Sequence, residues 1–173
     1  MTPEQGKVLF SSKTNEWGTP RWVMVGVERL LGIPIGLDVA STHANAVHPN
    51  HFTAEEDAFA QPSWACDGIS WLNPPYGREL GKWVHRAWLD GSTRDAKVAC
   101  LIPSRTDTKY FHEYCKHGHV YFLKGRIRFL QDGVEADSAP FPSAVVVFSS
   151  DTARFPGAWF VDQCMGVTLR VGG

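Results

Sequence analysis

Cysteine is scarce and unpaired in pattern. Cys66, Cys100, Cys115 and Cys164 form no C-x-x-C spacing. This argues against a disulfide frame and for reduced thiols in a reducing compartment. His43, His48 and His51, with Cys66 nearby, match no zinc-ligand spacing, so no metal is expected. An excess of one charge is lacking too: 17 Lys and Arg stand against 18 Asp and Glu, a formal net charge of −1. There is no global basic footprint, and any nucleic acid must meet a local patch. No apolar run approaches the roughly 18 residues that would span a bilayer. The opening "MTPEQGKVLF" has no apolar h-region, so no signal peptide is expected. Repeats and low-complexity tracts are missing as well, which leaves an ordinary globular chain.

What is present fits one domain. A chain of 173 residues, 43% of them hydrophobic, buries roughly 70% of its unfolded surface and needs no staple. Residues 1–16 are polar and expected to be flexible, with a single domain over 17–173. Seven Trp are many for this length, enough to serve both a core and a site for a flat ligand.

In "WGTPRWVMVGVERLLGI", Thr19 suits a helix cap and Pro20 a first turn. Apolar residues at 23, 27, 30 and 31 repeat at helical spacing, and Gly32 and Pro34 end the helix. Short buried strands are expected over 33–42, 68–73 and 97–103, with helices over 77–91 and 107–118, the latter closed by Gly118. Residues 119–133 read as two short strands or one bent strand. Residues 142–150 form a β-branched strand, and the C-terminus can add edge strands. The segment 43–64 is polar and turn-rich. This alternation implies βαβ units, a mostly parallel sheet and helices on both faces. Ligands of such sheets bind outside the carboxyl ends of strands. Two strand ends, "LDVAST" and "WLNPPY", fall on that edge.

The second of these ends an apolar run on Asn73-Pro74-Pro75-Tyr76. Two prolines cannot continue a central strand. They force a rigid turn in which the Asn73 side chain and the Pro74 carbonyl are fixed acceptors, with the Tyr76 ring close by. Two acceptors and a ring suit a planar group bearing –NH₂: an adenine N6, a cytosine N4 or a carboxamide. Such a nitrogen is a poor nucleophile because its lone pair is delocalised. Hydrogen bonds that localise the pair and stabilise a growing positive charge would assist its attack on an electrophilic carbon. A Pro-Pro corner can also simply redirect the chain. The strand before it, the helix after it and a candidate cofactor loop upstream favour a site.

The ordered segments "WGTP", "LDVAST", "EEDAF", "WLNPPYG", "LIPSRTDTKYFH", "GRIRF" and "FPSAVVVF" resemble the phage Dam-like DNA N6-adenine methyltransferases over residues 17–148. The resemblance implies a Rossmann-like fold dependent on S-adenosylmethionine and a DNA partner. It also implies a cytoplasmic location, in a bacterial host if the chain is phage-derived. It implies a target base flipped into an NPPY site of Asn73, Pro74, Pro75 and Tyr76. It further implies cofactor contacts from Thr19 and Pro20, from Asp38, Val39, Ala40 and Ser41, and from the pair Asp57 and Phe59. The cofactor loop departs from the usual glycine-rich pattern, reading "DVASTHANA". The short link from Asp38 to Asn73 suggests a trimmed fold. Other amino targets (cytosine N4, an RNA base, a protein glutamine) and an inactive nucleic-acid-binding relic remain alternatives. Residues 101–130 hold six basic side chains against two acidic ones. In that stretch Arg105, Lys109, Lys124, Arg126 and Arg128 are the candidate DNA contacts. Nothing in the sequence sets the oligomeric state.

Overall fold

The computed structural model describes residues 17–151 and the backbone of 159–161 and 168–170. The N-terminal segment 1–16 and Cys164 lie outside the described residues. The elements in chain order are α1 (Arg21–Leu31), β1 (Ile35–Asp38), β2 (Ile69–Leu72), α2 (Leu80–Thr93), β3 (Val98–Pro103), α3 (Lys109–Glu113), a 3-10 turn (Cys115–His117), β4 (His119–Leu123), β5 (Arg128–Gln131), β6 (Val134–Ser138), β7 (Ser143–Phe148), β8 (Trp159–Val161) and β9 (Thr168–Arg170).

Seven strands form one sheet in the order β1-β2-β3-β7-β4-β8-β9, and β5 and β6 form a separate two-stranded ribbon. β1, β2 and β3 are parallel. β7 enters antiparallel between β3 and β4, and β8 again runs with β4. Five strands therefore share a direction, with β7 and β9 reversed. The central strands β2, β3 and β7 are buried at every position, as expected of a sheet covered on both faces.

Helices do cover both faces. α1 places Val23, Val27 and Leu31 over Trp71, Leu101 and Val145, where the base of the β5–β6 ribbon adds Ile127 and Phe129. α2 places Leu80, Val84 and Ala87 on the opposite face, over Leu72, Cys100, Ile102 and Phe148. Asp90, with no exposed surface, accepts from Arg86 Nε (3.1 Å), Arg94 Nη1 (2.7 Å) and the Trp64 amide (3.0 Å). A buried carboxylate survives only with such partners. Arg86 also donates to the Phe59 and Gln61 carbonyls, which straps the 59–64 loop to α2.

Three local expectations change. Pro20, not Thr19, is the N-cap of α1, because the Thr19 hydroxyl is turned inward. Gly118 does end the helical stretch, but with extended backbone (φ −101°). Space selects it: a Cβ there would lie 2.9 Å from both Phe148 and Val146 side chains. The ribbon strand β6 was not read from sequence. Its turn is Asp132-Gly133, both at positive φ (52° and 78°), the two-residue geometry that twisted hairpins favour.

Gly91 lies where α2 crosses β7. A Cβ there would meet Phe148 Cβ at 2.5 Å and the Phe148 carbonyl oxygen at 2.6 Å. Gly26, within α1, has nothing within 4 Å of an added Cβ. Gly91→Ala should therefore lose about 1–3 kcal/mol through overpacking. Gly26→Ala should gain up to about 1 kcal/mol from helix propensity. Urea unfolding of both variants checks this pair of opposite signs.

Candidate active site

β1 and β2 end side by side, and their loops form the site. After β1 the chain turns back, so that Asn50–Phe52 runs beside the strand end. The Asp38 amide donates to the Asn50 carbonyl (3.0 Å), and the Phe52 amide donates to the Asp38 carbonyl (2.8 Å). A cavity of about 420 Å³ opens between this returning segment, the Val39–His43 loop and the Asn73 corner. That size falls within the range of small-molecule and cofactor sites.

The corner is held by its own hydrogen bonds. Asn73 Nδ2 donates to the Trp17 carbonyl (2.7 Å) and to Thr19 Oγ1 (3.3 Å), while Asn73 Oδ1 accepts from the Tyr76 hydroxyl (2.9 Å). A backbone carbonyl can only accept, so the amide's orientation is dictated by chemistry. Oδ1 keeps one lone pair beyond Tyr76, and Asn73 lines the cavity. No hydrogen bond to the Pro74 carbonyl is found among the described residues. Pro75 also lines the cavity.

Tyr76 takes a position that the sequence did not foretell. Its ring packs edge-on against Phe129 and Phe141, with centroids 5.8 and 5.5 Å away. Its single proton lies between Asn73 Oδ1 and the Leu101 carbonyl (3.1 Å). Burial, with Tyr110 and Cys100 nearby, pushes the phenol well above its ordinary range. It is therefore a neutral donor under all working conditions.

The cofactor candidates divide into those on the cavity wall and those behind it. Val39, Ala40, Ser41 and Asp57 line it; Thr19, Pro20, Asp38 and Phe59 do not. Thr19 is buried and accepts from Trp71 Nε1 as well as Asn73 Nδ2. Phe59 packs on Trp83 (4.5 Å), and Trp83 itself lines the cavity. Asp57 adopts a left-handed conformation (φ 46°) and accepts from the Phe59 amide (3.0 Å). Asp38 is only 2% exposed, and its carboxylate accepts from the Ala40 and Val47 amides (3.3 and 2.9 Å). It shapes the loop from behind. Ser41 Oγ is buried and has no hydrogen-bond partner. It lies near the Asp38 carboxylate but outside hydrogen-bond geometry. An orphaned hydroxyl on a cavity wall is a group that a bound ligand can satisfy.

Sequence reasoning missed several wall residues, among them Trp17, His43, Phe52, Glu55 and Trp83. Most come from the segment read as a plain connection, and its return to β1 rests on a bridge from Asp38 to His51 and on donation from the Ser41 amide to the Phe52 carbonyl and from Asn50 Nδ2 to the Gly36 carbonyl. Bonds of that kind leave no periodicity to detect. His43 Nδ1 and His51 Nε2 lie 2.8 Å apart and bond each other.

Among the candidate DNA contacts, Arg105 lies close to the corner. It follows β3, and its guanidinium sits 5.9 Å from the Phe141 ring that abuts Tyr76. Lys109 reaches Glu113 at 3.6 Å on α3. Lys124, Arg126 and Arg128 are exposed on the approach to the ribbon and on β5. The adjoining β6 carries exposed Glu135 and Asp137, so the basic excess counted through residue 130 does not extend across the ribbon.

A cavity and an amide corner sharing one sheet edge suit an α/β enzyme that brings a nucleotide-sized ligand against an amino-group substrate. A family model for DNA N-6-adenine-methyltransferase (Dam) matches residues 7–157, and the chain belongs to that family. A search of curated proteins finds no match. Among the described residues, no helix is long and apolar enough to cross a membrane.

Asp38 generates a pH test. Burial raises its pKa above the ordinary 3.8, opposed in part by the Val47 and Ala40 amides. A raised carboxylate pKa gives stability that is full below the unfolded value and is lost as pH rises through the folded one. Asp38→Asn removes this titration, together with one acceptor. The wild-type advantage over Asp38→Asn in thermal unfolding should therefore grow as pH falls from 7 toward 4. A constant difference would contradict the buried carboxylate.

Proposed function

We propose that this chain transfers a methyl group from S-adenosylmethionine to the N6 amino group of adenine in DNA, with the target base flipped against Asn73-Pro74-Pro75-Tyr76. One observation carries the reading: an amide locked by Trp17 and Tyr76, with a spare acceptor on the wall of a cofactor-sized cavity. Family membership favours adenine N6 over other amino targets.

The cavity wall suits the cofactor. Val39, Phe52 and Trp83 offer apolar surface to a flat ring. The carboxylates of Glu55 and Asp57 can accept from hydroxyl or amino groups, and Ser41 Oγ awaits a polar partner. When bound, S-adenosylmethionine supplies the electrophilic methyl group. The alanine and serine of "DVASTHANA" stand where glycines are usual, and Asp38 fixes that loop by accepting its amides.

At the corner, Asn73 Oδ1 and the Pro74 carbonyl accept the two N6 hydrogens. They draw the nitrogen toward tetrahedral geometry and stabilise its developing positive charge. Neither group has to reorganise, which is the value of preorganised acceptors. No base is needed before transfer, because the nitrogen reacts while neutral. Extruding the base costs a few kcal/mol. Stacking on Tyr76, or on Trp17, which is 40% exposed beside the corner, returns about 1–3 kcal/mol per base. Arg105, Lys109, Lys124, Arg126 and Arg128 would hold the phosphate backbone.

The test is mass spectrometry of nucleosides from unmethylated DNA incubated with the protein and S-adenosylmethionine. N6-methyladenine is expected from the wild type. Asn73→Ala should lower turnover about 10²–10³-fold and leave the fold unchanged. A methylated base other than adenine, or full activity in Asn73→Ala, would overturn the reading.

A further inference from the structure

The β5–β6 ribbon has two unlike faces. Gln131 pairs with Val134 and Leu130 with Glu135, and a bulge precedes the pairing of Arg128 with Ser138. Alternation therefore places Phe129, Gln131 and Val134 on one face, and the extra residue of β6 between Glu135 and Ser138 sets Ala136 and Asp137 together opposite Phe129. Arg128, Leu130 and Glu135 lie on the other. The outer residues of the first face, Gln131 and Val134, carry no charge, while Asp132 in the turn and Asp137 at the bulge are exposed acids.

At its base this face is core. Phe129 is buried, 6.0 Å from the Trp17 ring and 5.8 Å from the Tyr76 ring. Two residues further out the same face leaves the protein: Gln131 is exposed and Val134 is 69% exposed. The face that abuts the catalytic corner thus continues into solvent beside it. The ribbon is also fixed to the corner. Gly18 and Leu130 exchange backbone hydrogen bonds of 2.8 and 2.9 Å, and the neighbouring Trp17 carbonyl holds Asn73.

We infer that the ribbon tip, through Gln131 and Val134, reads the base pairs flanking the target adenine. The inference rests on the DNA reading above. A two-stranded ribbon fits the major groove, where a glutamine amide pairs with adenine N6 and N7 and an apolar group meets the thymine methyl. Gln131 beside Val134 therefore favours an A·T pair next to the target. The uncharged pair Gln131 and Val134 suits base edges, while Arg126 and Arg128 at the ribbon's base suit phosphates.

The experiment uses the full chain, S-adenosylmethionine and a DNA pool with randomised sequence around one adenine. It reads total N6-methyladenine and its sequence context for the wild type, Gln131→Ala and Val134→Ser. The wild type should prefer a flanking A·T pair. Each variant should lose roughly 5- to 150-fold of discrimination at that pair, by a fall on the preferred contexts, while the rate on contexts lacking the A·T pair stays within a few-fold. An unchanged preference in both variants, or a wild type that methylates every context alike, overturns the inference and leaves the DNA reading standing. A wild type that makes no N6-methyladenine in any context overturns the DNA reading, and this inference with it.

Discussion

The two amide hydrogens of Asn73 have only acceptors to meet: a backbone carbonyl at 2.7 Å and a threonine hydroxyl at 3.3 Å. That constraint turns Oδ1 to the other side, where a neutral tyrosine hydroxyl takes one of its lone pairs. Much of the surrounding structure serves this arrangement. α1 is preceded by an inward-facing Thr19, β3 lends the Leu101 carbonyl to Tyr76, and the ribbon pins Gly18 and so Trp17. The prolines that follow Asn73 stop the strand and fix the backbone, so the corner is rigid before any ligand binds.

The second half of the site is economical. A longer fold could supply a further strand beyond β1; here Asn50–Phe52 returns to run parallel to the strand end through a few backbone bonds. The loop it meets lacks the usual glycines. A buried carboxylate, Asp38, organises that loop by accepting amides from Ala40 and Val47. Burying a charge is costly unless it is hydrogen-bonded, and these bonds limit that cost. Arg86 does similar service across the cavity, holding the 59–64 loop to α2 through two carbonyls and stacking over Trp64 at 5.0 Å.

Strands β2, β3 and β7 were legible in sequence because short, dominantly apolar runs bounded by turn residues admit few other readings. α1 and α2 were legible from helical spacing and a terminal Gly32 in left-handed conformation. The Asn73 corner stood out because two prolines after a strand have few uses. What escaped depended on contacts between distant segments. Thr19 looks like a helix cap, yet Asn73 and Trp71, more than 50 residues away, claim its hydroxyl. Tyr76 offered a ring, but its hydroxyl found Asn73 and Leu101. Asp38 suggested a ligand contact, and the structure shows its carboxylate also accepting the Ala40 and Val47 amides. β6 is four-fifths exposed and carries Glu135 and Asp137, so it had no apolar pattern; only Asp132-Gly133 marked it.

The central claim is that Tyr76 acts on the reacting group through its hydroxyl, by fixing the Asn73 amide. Single-turnover methyl transfer by Tyr76→Phe isolates that hydroxyl, since the ring and its contacts with Phe129 and Phe141 remain. The account predicts normal folding, retained cofactor binding and a methyl-transfer step about tenfold slower, the worth of one hydrogen bond. A wild-type rate in Tyr76→Phe would contradict it.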